Sequence, residues 1–87
     1  MSEVLIYSSG FCPYCGWAKK LLDHKQVDYK EIRIDQIDGA QQEMLLKSNG
    51  QMSVPQIFIG DFHVGGYTDM LALEKQGKMD QLLTHQA

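Results

Sequence analysis

Cys12 and Cys15 are the only cysteines in the chain, and they stand three positions apart in the run Cys12-Pro13-Tyr14-Cys15. A permanent disulfide closing so small a loop would restrict the unfolded chain little and leave the rest of it unstapled. Two thiols this close at a turn are suited to opening and closing reversibly, so the spacing points to thiol–disulfide exchange. The attacking group in that chemistry is a thiolate. Pro13 suits the first position of a helix, which places Cys12 at the N-cap. An N-cap sulfur lies within reach of unpaired amides and of about half a positive charge. That setting should lower the Cys12 pKa below the ~8.5 of a free thiol. Cys15, one turn into the helix, is expected to be buried and protonated, with its amide directed at the Cys12 sulfur. Cys12 is therefore read as the attacking thiol and Cys15 as the resolving one. The competing use of such a pair is half a zinc site, but a structural site needs four ligands. His24, His63 and His85 show no paired spacing that would complete it.

Presenting a sulfur at a helix N-terminus requires a strand, a turn and a helix in immediate succession. Val4-Leu5-Ile6-Tyr7 forms a short apolar run that reads as a strand over residues 3–7. Ser8-Ser9-Gly10 breaks it. Ala18, Leu21 and Leu22 recur at the spacing of one buried helical face, with His24 and Lys25 near the end. A second strand is expected within residues 29–34, parallel to the first across a helical crossover. Asp38 is expected to cap a second helix, with Gln41 reaching back as in a capping box, and Asn49-Gly50 to end it. Gln56-Ile57-Phe58-Ile59 reads as a third strand. Gly60-Asp61 reads as a two-residue hairpin turn with glycine first, and Phe62-His63-Val64 as the returning strand. A last helix should start at about Thr68, and Met79, Leu82 and Leu83 suggest a further helical segment packing back. The order β-α-β-α-β-β-α predicts an α/β fold: a four-stranded mixed sheet with helices on both faces.

Eighty-seven residues make one domain, residues 1–87, and 44% hydrophobic content is that of a globular protein. The formal net charge of −3 comes from interspersed acids and bases. No basic stripe offers an electrostatic footprint for nucleic acid. No apolar run approaches the roughly 20 residues that a bilayer requires, and the N-terminus lacks a signal-peptide layout. The expectation is a soluble cytoplasmic monomer. In a reducing compartment a Cys-x-x-Cys pair is more often catalytic or metal-binding than structural.

Pro55 opens a strand after Ser53-Val54. It is either an ordinary trans proline on an edge strand, favoured by base rate because only about 5–6% of such bonds are cis, or a cis proline. The cis form would offer the Val54 backbone to an extended ligand, as in strand addition. Gly65 and Gly66 permit close backbone approach to a ligand and would equally serve as a hairpin exit. Asp69 serves either as a first-turn acid complementing the helix dipole or as a partner for a ligand ammonium.

Together, Cys12-Pro13-Tyr14-Cys15, Ser53-Val54-Pro55 and Gly65-Gly66-Tyr67-Thr68-Asp69 resemble, in order and spacing, the motifs of dithiol glutaredoxins of the small bacterial type. The resemblance covers nearly the whole chain. It implies a thioredoxin-like fold and glutathione-dependent thiol–disulfide oxidoreduction through a reversible Cys12–Cys15 pair. Glutathione is then a co-substrate, with no tightly bound cofactor and no metal. Among matching positions, Val54, before a cis Pro55, pairs its backbone with the cysteinyl part of glutathione. The Thr68 and Asp69 region receives the γ-glutamyl end, and Gly66 and Tyr67 also belong to the glutathione site. Tyr14 flanks the sulfur, and Gln51 takes the position of a polar contact to the glycine carboxylate. Partners implied are glutathionylated or disulfide-containing proteins, with ribonucleotide reductase among the candidates. The chain departs from the pattern at Ser9, where many members carry a lysine. Lys19, about two helical turns beyond Cys12, is either a substitute for it or part of a solvated face. Two rivals share the fold: a redoxin served by a thioredoxin reductase, and an iron–sulfur carrier, a role that Pro13 disfavours.

Overall fold

Alternation along the first apolar run sends Val4 and Ile6 to one side of a sheet and Leu5 and Tyr7 to the other. A strand with apolar side chains on both sides must be covered twice, and this requirement organises the chain. The structure, a computed structural model, describes residues 3–84. The strand β1 (Val4–Ser8) is followed by α1 (Pro13–His24) and β2 (Lys30–Arg33). The helix α2 (Ala40–Lys47) leads to β3 (Gln56–Ile59) and β4 (Phe62–Gly65), and α3 (Tyr67–Lys75) and α4 (Lys78–Thr84) close the chain. The sheet order is β2-β1-β3-β4. The β1–β2 pair is parallel, with Tyr7 opposite Ile32, whereas β1–β3 and β3–β4 are antiparallel. The mixed sheet and the parallel first pair are as the sequence predicts.

On one face Val4, Ile6, Ile57, Ile59 and Val64 pack with Ala18 and Leu22 of α1, Met70 of α3 and Met79 of α4. On the other, Tyr7 and Phe58 pack with Met44 of α2. Each fully buried side chain of this size contributes roughly 1.5–3 kcal/mol. Helices therefore cover both faces. The hairpin turns at Gly60, with φ of 58°, while Asp61 stays out of the left-handed region, which fits the glycine-first turn. Asn49 (φ 62°) and Gly50 end α2, the Gly50 amide donating to the Leu45 carbonyl at 2.7 Å. Lys25 locks the end of α1 to the last two helices, its ammonium 2.7 Å from both Glu74 and Asp80.

One expected cap is not formed. Gly39, at φ 79°, occupies the N-cap of α2 with no side-chain hydrogen bond. Its left-handed backbone turns the chain one residue later than the Asp38–Gln41 reading requires, and Asp38 stays outside the helix. The last long helix also begins at Tyr67, one residue before Thr68.

Glu31 of β2 joins three elements. It accepts from the hydroxyl of buried Ser8 at 2.5 Å and from the Lys19 ammonium at 3.0 Å. The Ser8 hydrogen bond foremost, then Lys19, holds its carboxyl below the usual range against the opposing effect of burial. A depressed folded-state pKa gives stability that is present above the unfolded value of about 4.3 and lost as pH falls through the folded one. Glu31→Gln is therefore expected to cost about 2 kcal/mol at neutral pH. Urea denaturation should show the gap to the parent protein closing as pH falls below that unfolded value.

Candidate functional site

β1 ends at Ser8, and the next turn is pinned before the motif begins. The Gly10 amide donates to Asp35 Oδ2 at 3.0 Å, and Arg33 grips the same carboxylate with Nε at 2.9 Å and a terminal nitrogen at 2.8 Å. Arg33 above all holds the Asp35 carboxyl down, at about 2. The chain then enters α1 at Pro13, with Cys12 in extended conformation at the N-cap. The Cys15 amide donates to Cys12 Sγ at 3.1 Å. The two sulfurs are joined as a disulfide, with Cα atoms 5.2 Å apart. Cys12 is part-exposed and Cys15 is buried, the asymmetry expected of an attacking and a resolving thiol.

Cys12 Sγ also lies 3.5 Å from the Val54 carbonyl oxygen. Val54 precedes Pro55 through a cis peptide bond. A groove of about 300 Å³ opens here, lined by Tyr14, Ser53, Val54, Pro55, Gly66, Tyr67 and Thr68. Its walls are the loop before β3 and the first turns of α1 and α3. Tyr14 and Tyr67 face each other at 6.1 Å between ring centroids, and Trp17 packs on both, at 5.1 and 5.8 Å. Two helix N-termini thus meet at one groove, where their dipoles and unpaired amides suit an anion or a thiolate. A second depression of about 310 Å³ lies at the other end of β1, among Glu3, Val27, Tyr29 and Leu83, and contains no cysteine. No three His, Cys, Asp or Glu side chains gather as a metal cluster among the described residues. No described helix is long and apolar enough to cross a membrane.

A family model described as glutaredoxin matches residues 4–64, from β1 through the cysteine pair and the Val54–Pro55 bond to β4. The chain belongs to the glutaredoxin family. It is 48% identical over 87 residues to glutaredoxin 1 of Rickettsia prowazekii, covering 99% of this chain and 92% of that one. Among solved structures, the solution structure of a glutaredoxin from Brucella melitensis superposes with a TM-score of 0.83 at 44% identity, covering 100% of this chain and 95% of that one. The crystal structure of a buckwheat glutaredoxin–glutathione complex superposes with a TM-score of 0.86 at 35% identity, covering 97% and 78%. The chain is thus a thiol–disulfide oxidoreductase with a thioredoxin-like fold, and dependence on glutathione is typical of its family.

Glutaredoxin membership makes the placement of each expected residue informative. Tyr14, Val54, Pro55, Gly66, Tyr67 and Thr68 converge on the groove beside Cys12. Asp69 stands in the first turn of α3, where its carboxylate accepts from the Gly66 amide at 3.0 Å; it caps the helix at the groove's end. Gln51 lies apart from the lining, its side-chain oxygen accepting from Gln56 Nε2 at 3.2 Å. Lys19 is held by Glu31 at 3.0 Å and does not fold back toward Cys12. The Asp35 clamp on Gly10 and the buried side chain of Gln56 have no counterpart in the motif reading. A lone polar residue in the apolar run 56–59 was the available sign of the second.

Proposed function

We propose that this protein reduces glutathione mixed disulfides and protein disulfides with glutathione as electron donor, using Tyr14, Val54, Pro55, Gly66, Tyr67, Thr68 and Asp69 as its glutathione site. The observation that carries this reading is the position of Cys12 Sγ, 3.5 Å from the Val54 carbonyl at the head of a groove bounded by two helix N-termini. Glutathione carries two carboxylates and one ammonium. The α3 N-terminus suits its γ-glutamyl carboxylate and Asp69 beside it suits the ammonium, while Gln51 is assigned to the glycine carboxylate.

The Cys12 thiolate attacks the glutathione sulfur of a glutathionylated protein. The old S–S bond breaks, the protein thiolate leaves and takes up a proton, and Cys12 is left bonded to glutathione. A second glutathione thiolate attacks that sulfur, releasing glutathione disulfide and restoring Cys12. With a protein disulfide, Cys12 forms a mixed disulfide that Cys15 displaces, and two glutathione molecules then reduce the Cys12–Cys15 bond. The setting assigned is the cytoplasm and the acting form a monomer, with ribonucleotide reductase among the candidate protein substrates. An NADPH-linked assay discriminates the reading from its nearest rival. Turnover is expected with glutathione and glutathione reductase, and little with thioredoxin reductase alone; the reverse pattern would sink the glutathione assignment.

A further inference from the structure

Gln56 is fully buried although it opens an otherwise apolar strand. A buried amide persists where its hydrogen bonds are met, and here both ends are engaged. Its Nε2 lies 3.0 Å from the Ser53 carbonyl oxygen, 3.3 Å from Ser53 Oγ and 3.2 Å from Gln51 Oε1. Its Oε1 lies 2.6 Å from His63 Nε2. The polarity follows from chemistry. A carbonyl oxygen only accepts, so the Gln56 atom facing Ser53 is the NH₂ group. The oxygen then faces His63, whose Nε2 carries a proton and donates it. His63 is itself oriented by stacking on Phe58, at 4.7 Å and 20° between ring planes, and Lys47 sits 4.9 Å from the same Phe58 ring.

The network thus runs from β4 through a buried side chain on β3 to the loop that walls the groove. It fixes the Ser53 carbonyl one residue before Val54, whose own carbonyl faces Cys12 Sγ. It also holds the oxygen end of the Gln51 amide, so the end left to Gln51 is a donor, the kind of group a carboxylate requires. Among the described residues, none of its hydrogen bonds reaches a cysteine sulfur.

We propose that His63 and Gln56 are positioning residues for recognition of the glutathione moiety: they set the wall 51–54 and leave the sulfur chemistry untouched. The inference rests on the glutathione reading above, and its test separates the two. In a Cys15→Ser background, the equilibrium constant for forming the Cys12 mixed disulfide is measured by mass spectrometry, once against glutathione disulfide and once against the disulfide of 2-mercaptoethanol. His63→Leu is expected to lower the glutathione constant about fivefold to tenfold, the loss of one hydrogen bond in a confined site, with the 2-mercaptoethanol constant unchanged. His63→Gln keeps a donor toward Gln56 Oε1 and is expected to recover most of the loss. Gln56→Leu should shift the same constant in the same direction. An equal fall in both constants, no fall in the glutathione constant, or a His63→Gln protein that behaves as His63→Leu overturns the assignment. If the parent shows no preference for glutathione over 2-mercaptoethanol, the glutathione reading fails first and the inference with it.

Discussion

Cys12→Ser is expected to lower turnover of both glutathionylated and disulfide-bonded protein substrates by at least about three orders of magnitude, as loss of an essential nucleophile does elsewhere. Cys15→Ser is expected to keep deglutathionylation while losing protein-disulfide reduction by about tenfold or more, because no second thiol remains to resolve the mixed disulfide. The asymmetry follows from the helix start. Cys12 is part-exposed at the N-cap, and its sulfur accepts the Cys15 amide at 3.1 Å. A hydrogen bond to the charged form favours ionisation, and the dipole of α1 acts in the same sense. Cys15 is only 2% exposed, so an incoming disulfide is expected to react first at Cys12 and to meet Cys15 only in the resolving step. Steady-state assays of both variants on a glutathionylated peptide and on a protein disulfide test the pair of roles. Substantial activity in Cys12→Ser on either substrate would reverse them.

The chemistry was legible because it depends on local rules. Two cysteines around a proline that starts a helix specify which sulfur caps and which is buried, and the alternation of Val4 to Tyr7 specifies a two-faced strand. Val54-Pro55 and Gly65-Gly66 could be joined to that motif only through family resemblance, since sequence spacing carries no information about which loop lies 3.5 Å from Cys12. What escaped the sequence was long-range polar pairing. Lys19 looks like a solvated helix residue or a reserve cation until Glu31, on a neighbouring strand, claims it. Gln56 reads only as the first residue of a strand until His63 and Ser53 enclose it. Asp38 shows the converse failure: its capping pattern is sound, but Gly39 takes the turn and leaves the cap unused.

Gly65 and Gly66 look interchangeable in sequence, yet their alanine variants are expected to fail differently. Gly65 ends β4 at φ 106°, a region that side chains avoid. An added Cβ there would lie 3.0 Å from Asp69 Cγ, pushing away the carboxylate that caps α3 through the Gly66 amide. The backbone strain costs about 1–2 kcal/mol and the lost cap about 1 kcal/mol. Gly65→Ala should therefore lower Tm by about 10–20 °C in a domain of this size. Gly66 has φ −86° and ψ −171°, ordinary extended backbone. Its added Cβ would meet the Pro55 carbonyl oxygen at 3.6 Å and Asp69 Oδ2 at 3.9 Å, both ordinary van der Waals contacts. Stability should thus hold in Gly66→Ala to within about 1 kcal/mol. The new methyl group would nevertheless stand in the groove lined by Pro55 and Thr68, where the glutathione chain is proposed to run. The expected result is a weakened glutathione mixed disulfide in a protein that melts normally. Thermal melting and the mixed-disulfide constant, measured on both variants, separate fold from recognition. A Gly66→Ala protein with undiminished preference for glutathione would move the ligand out of this groove.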